Sequence, residues 1–181
     1  MAATGRAQGR SYRDNSRTRM QFNDKHTFDK PAAAVLKMFS DQAYFERKYR
    51  ELGYKDIEVL EHSADAKKFR IKVRYSAPNS APVPDFAKRF LGENNVVTQS
   101  DSWDLEKKTG RLEAEIKGVP VKVSADMRLA DEGTGSTNTL KWNLSCGIPL
   151  IGGKLEQIVG GDIQSKAKTD LAKSREILKG Y

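Results

Sequence analysis

The chain has 181 residues, with 32 lysines and arginines against 24 acidic residues and a formal charge of +8. That length suits one domain with its own core, and the single Cys146, with only His26 and His62 beside it, excludes an internal disulfide framework and zinc-type ligand spacing. No apolar run approaches the roughly 18 residues of a transmembrane segment, and residues 1–20 hold no apolar stretch of the secretion-signal kind, which points to the cytoplasm.

Residues 1–19 carry Arg6, Arg10, Arg13, Arg17 and Arg19 against Asp14, so half the excess charge sits in a tenth of the chain. With almost nothing to bury, this stretch reads as a disordered basic tail, and the folded domain runs over 20–181. Such a tail can hold nucleic acid or an anionic membrane through phosphate contacts. It can equally be a solvated extension, or precede a translation start at Met20.

From Met20 to Phe28 apolar and polar residues alternate, which predicts a half-buried strand. Asp29 as a cap, Pro31 and the run from Ala32 to Phe39 predict a first short helix. Ser40 or Asp41 caps a second through Tyr49, closed by Gly53 in the left-handed conformation. Strands follow over Tyr54–Ala64 and Lys67–Ala77, joined by a turn at Asp65. The proline-rich stretch after Ala77 breaks the pattern, and Pro84–Gly92 reads as a short amphipathic helix. With Tyr54, Tyr75, Phe86 and Phe90 around it, this insertion is either a lid over a pocket mouth or a plug on a sheet edge.

Four more strands, near Val96–Leu105, Arg111–Lys117, Pro120–Leu129 and Thr137–Cys146, complete a hairpin meander of about seven strands, necessarily antiparallel. Phe69, Ile71, Trp103, Met127 and Trp142 alternate onto one face and Arg70, Lys72, Arg111 and Lys141 onto the other. From Gly152 nearly to Tyr181 an apolar stripe including Leu155, Val159 and Leu171 recurs at helical spacing, so one long helix lies on the apolar face of the sheet. Gly160-Gly161 interrupts that stripe and predicts a kink or a close approach. Gly152-Gly153 matches neither a dinucleotide fingerprint nor a P-loop, and no cofactor is expected.

This order of elements resembles the START-like (SRPBCC, helix-grip) superfamily, and at residue level an uncharacterised bacterial family within it. The carrying segments are Phe22–Phe28, Trp103, Met127-Arg128-Leu129 and Ile148–Glu156. The resemblance implies an α+β helix-grip fold, a curved antiparallel sheet wrapped on the C-terminal helix, with a pocket between them for lipids, sterols, polyketides or similar apolar molecules. The glycine pair departs from the bulkier residues usual there, and either widens the pocket or breaks the helix.

If Trp103 points inward, alternation also turns Gln99 and Asp101 in, as Phe22 and Phe28 do for Asp24 and His26. Unpaired buried polar groups cost about 1 to 3 kcal/mol, so these four are paired together, hydrated or aimed at a ligand. The functional expectation is binding or carrying of a hydrophobic small molecule. Phe69, Ile71, Trp103, Met127, Trp142, Leu155 and Val159 are its lining and His26, Gln99 and Asp101 its orienting groups. The alternatives are an acid-base enzyme using His26 with an aspartate in the same pocket, a protein-interaction module with a filled core, or a core histidine satisfied by Asp24 or Asp101.

Overall fold

A computed structural model describes residues 19–181. The expected tail, Arg19 apart, lies outside the described residues. The elements are β1 (Met20–Phe28), α1 (Ala32–Phe39), α2 (Gln42–Glu51), β2 (Lys55–Ala64), β3 (Lys68–Pro78), β4 (Asn94–Asp104), β5 (Thr109–Ile116), β6 (Val121–Glu132), β7 (Gly135–Cys146) and α3 (Gly152–Leu178). All strands join one antiparallel sheet in the order β1-β7-β6-β5-β4-β3-β2. This is the α+β helix-grip arrangement, with α3 laid on the sheet.

Most turns form for the reasons the residues suggest. Asp65 Oδ1 accepts the backbone N–H groups of Lys67 (2.7 Å) and Lys68 (2.8 Å), closing the β2–β3 turn. Asp41 caps α2 by accepting from the Ala43 N–H at 2.9 Å, and Gly53 ends the helix at φ +76. One local expectation changes. Pro31, not Asp29, precedes α1 and offers no side-chain cap; the freed Ala32 N–H instead donates to Asp131 Oδ1, at 2.7 Å, from the end of β6. In the β4–β5 turn the positive φ falls on Lys108, while Gly110 is needed for space, because a Cβ there would lie 2.7 Å from Cδ2 of Trp103.

The proline-rich insertion forms only one 3-10 turn, Asp85–Ala87, rather than a helix. Length is not the cause, since α1 is shorter; the segment's shape is set by burying Ala87 and Leu91.

Two cores share the sheet. One gathers Phe28, Val35, Phe39, Phe45, Tyr49, Phe69 and Ile71 beneath α1 and α2; the other gathers Leu91, Val121, Val123, Leu144, Leu155 and Val159 beneath the first half of α3. Glu156, buried at 5% exposure, fixes the start of α3: Oε1 accepts from the Cys146 N–H (2.6 Å) and Oε2 from the Met20 N–H (3.1 Å). Helix α3 runs unbroken through Gly160-Gly161. Gly160 is a close approach: a Cβ would sit 2.5 Å from the sulfur of Met20, whose side chain fills the notch, whereas Gly161 has nothing near it. The pair therefore neither opens a pocket nor breaks the helix.

Candidate functional site

Between the sheet, α2 and α3 lies a cavity of about 210 Å³. Strand alternation sets much of its wall: Asp24, His26 and Phe28 from β1, Val97, Gln99, Asp101 and Trp103 from β4, and Asn138, Leu140 and Trp142 from β7. Helix α3 contributes Val159, Ile163 and Asp170, and α2 contributes Tyr44, Lys48 and Tyr49.

Of the expected lining, His26, Gln99, Asp101, Trp103, Met127, Trp142 and Val159 border this space. Phe69, Ile71 and Leu155 do not. Phe69 and Ile71 face the same side of the sheet as the cavity, but α2 covers that end of β3. The Phe69 ring lies 5.9 Å from that of Phe45, stacked at 15°. Leu155, fully buried, belongs to the core beneath the start of α3. Alternation identifies the face a side chain points to, not what lies above it.

The four polar groups expected to meet the cavity do so, as two separate pairs. His26 Nε2 lies 2.9 Å from Asp24 Oδ2, so the histidine's partner is Asp24 and not Asp101. Tyr75 donates to Gln99 Oε1 at 3.0 Å, and Gln99 Nε2 donates to Asp101 Oδ2 at 2.8 Å. Burial pushes the Asp101 carboxyl up to about 6 even though the Gln99 bond and the Lys48 charge pull it down.

The composition and pattern did not single out Lys48. Its ammonium, on a residue 8% exposed, lies 3.3 Å from Asp170 of α3 and within 5.1 Å of the Tyr44 and Tyr49 ring centres. Burial pulls its pKa down, but the charges of Asp170 and Asp101 outweigh that and leave it raised, so Lys48 stays a cation. Tyr44 bonds Ser174 at 2.9 Å, and Tyr54, Tyr75 and Tyr49 stack, with Tyr49 and Tyr75 centred 4.4 Å apart. Burial raises Tyr44, Tyr49 and Tyr75 and pushes Tyr54 up to about 12, so the hydroxyls remain neutral donors. The available signal was a lysine at position i+4 from Tyr44 on a face otherwise made of Tyr44, Phe45 and Tyr49.

Three lining residues also hold polar atoms that are buried and without a partner: Tyr49 Oη, Asn138 Oδ1 and Trp142 Nε1. Trp142 stacks on Phe22 at 5.8 Å and Trp103 on Phe39 at 5.5 Å, which fixes both indoles as wall. Near the loop after β3, Asn79, Asn95, Asp162 and Lys166 complete the lining; Asn95 donates to Asn79 at 2.7 Å, and Lys166 pairs with Asp162 at 2.6 Å. Tyr54 and Tyr75 thus belong to the α2 stack and not to the insertion, and Phe86 stands outside at 40% exposure. Among the described residues no group of three or more His, Cys, Asp and Glu side chains is arranged to hold a metal, and no helix is long and apolar enough to cross a membrane.

A family model described as "Protein of unknown function (DUF2505)" matches residues 24–176. No curated protein matches the chain. Among solved structures, it is similar to the protein TTHA0849 from Thermus thermophilus (TM-score 0.62, 18% identity, covering 89% of this chain and 98% of that one). It is also similar to the Zhui aromatase/cyclase from Streptomyces sp. R1128 (TM-score 0.61, 12% identity, 90% and 94%) and to Ara h 8.0201 (TM-score 0.63, 15% identity, 91% and 100%). At these identities the likeness is one of fold.

Proposed function

The chain belongs to the DUF2505 family, and from that premise we propose that it binds or carries a small, mostly apolar molecule in the cavity between sheet and α3. The observation that carries this reading is the mismatch between wall and bonding. A mostly apolar cavity also presents Asp101, whose pairing accounts for one carboxylate oxygen, together with the unpartnered Tyr49, Asn138 and Trp142 atoms. A few polar groups in an apolar wall orient a ligand, and a dry, solid core would leave them uncompensated.

The volume narrows the class. About 210 Å³ falls below the roughly 300 Å³ at which drug-sized pockets begin, yet exceeds the roughly 150 Å³ cavity that accepts benzene in another protein. The best fit is therefore a body of one or two rings with a hydrogen-bonding end, smaller than a sterol or a two-chain lipid. Likeness to an aromatase/cyclase makes ring compounds of the polyketide type the first to try.

Native mass spectrometry of freshly purified protein tests this. A co-purified small mass, or a melting shift with single- and fused-ring phenols that is lost in Trp142→Ala, supports the reading. Bare protein unmoved by the whole panel overturns it. Acid-base chemistry on the same occupant has one observation in its favour, the Asp101 carboxyl near 6, close to where a general base works. That reading adds Asp101 to His26 as a candidate base, and Asp101→Asn retaining affinity without conversion is its signature; conversion that survives this change removes Asp101 from the role.

A further inference from the structure

The charges that line the cavity do not balance. Among the described residues, Asp24, Asp101, Asp162 and Asp170 stand against Lys48 and Lys166, four acids to two bases and so a formal −2 with His26 neutral, inside a chain whose total is +8. Three of the aspartates have a basic partner. Asp24 meets His26 at 2.9 Å, Asp162 meets Lys166 at 2.6 Å and Asp170 meets Lys48 at 3.3 Å. Among the described residues Asp101 has none.

The sheet register explains why. Asp101 is 7% exposed, and its partners on the two neighbouring strands are apolar, Ile71 on β3 and Leu112 on β5. Along β4 its inward neighbours are Gln99 and Trp103. From α2 the Lys48 charge pulls on Asp101, but that ammonium makes its ion pair with Asp170 of α3. The hydrogen bond that the carboxyl does receive comes from the neutral Gln99 amide and occupies Oδ2, leaving Oδ1 to the cavity. A buried carboxylate without a cation is costly, which is why Asp101 keeps a proton up to about pH 6. A second group at this place also lacks a partner: Tyr49, 2% exposed, has an unbonded hydroxyl, and its ring lies 4.4 Å from that of Tyr75, which bonds Gln99.

We infer that the occupant of the cavity is a small aryl amine, its protonated nitrogen bonded to Asp101 Oδ1 and its ring in the aromatic space alongside. This deepens the carrier reading above and rests on it. An ammonium supplies the charge that Asp101 lacks, has further N–H donors for the Tyr49 hydroxyl, and is attracted by the faces of the neighbouring tyrosine rings. A net negative lining with low-dielectric walls draws cations in and keeps anions out. A carboxylate ligand would face Asp101 and Asp170, with Lys48 already held by Asp170. A neutral alcohol would bond the carboxyl but leave its charge uncompensated.

The test is calorimetric titration of the full chain with three probes of one shape, 2-phenylethylamine, 2-phenylethanol and 3-phenylpropionate. At pH 7.5 the amine should bind roughly tenfold more tightly than the alcohol, and the carboxylate most weakly. In Asp101→Asn, whose folding a melting curve checks, amine and alcohol should bind alike. In the unaltered chain the amine's affinity should fall about tenfold between pH 7 and pH 5, because a proton then competes for the Asp101 carboxylate, and the fall should persist in His26→Gln but vanish in Asp101→Asn. An alcohol or carboxylate that binds as tightly as the amine, or an amine preference intact in Asp101→Asn, overturns the inference and leaves the carrier reading standing. If none of the three binds while the phenol panel does, this inference alone falls. If that panel is silent as well, both fall.

Discussion

At the scale of single residues, Asp101 makes the sharpest prediction. Its folded pKa, about 6, lies above the value near 4 of an exposed aspartate, so the native state takes up a proton before the unfolded chain does. Stability contributed by this site is therefore lowest above pH 6 and recovers as pH falls toward 4. Asp101→Asn removes the buried charge while keeping an acceptor for Gln99, and should stabilise the protein by about 2 kcal/mol at pH 7.5, the gain closing below about pH 4. Urea unfolding at three pH values reads this directly; a difference that does not change with pH would mean the carboxyl is not desolvated. His26 and Asp101 were legible because period-two alternation carries a polar residue inward with its apolar neighbours. Lys48 was not, because its enclosure depends on three aromatic rings of its own helix and on Asp170, which is 122 residues away.

At the scale of elements, the strands and helices followed from local rules, and the failures came where a segment takes its shape from elsewhere. Pro84–Gly92 has the pattern of a helix but gets its conformation from two buried side chains, and α1 gets its first hydrogen bond from a residue near the end of β6. Glu156 belongs to the same class. Its place in a segment of specific sequence was visible, while its bonds to both Cys146 and Met20 required the strand ends to be in position. Glu156→Ala leaves two backbone donors without partners and should cost about 2 to 4 kcal/mol, with Glu156→Gln, which keeps one acceptor, costing less. Amide exchange should quicken first at the start of α3 and at Met20; protection unchanged in both places would show that the carboxylate does not hold the junction.

For the whole molecule, the fold class was readable from the order of elements, whereas the cavity was not. A volume of 210 Å³ is a small remainder between large packed surfaces, and three of the ten residues expected to line it, Phe69, Ile71 and Leu155, are instead covered. The sheet order also has a kinetic consequence. β1, made first, is an edge strand whose one partner is β7, made last, and its opening N–H meets a side chain 136 residues later. Closing so long a loop comes late and slowly, because its entropy is spent before its contacts form. Pulse-labelled hydrogen exchange during refolding should show the β2–β3 and β4–β5 hairpins protected before any amide of β1, and protection of β1 before the hairpins would contradict that order. On the ribosome the same geometry leaves the alternating apolar face of β1 without its strand partner until β7 has been made, so the earliest strand of the sheet depends longest on being kept from other chains.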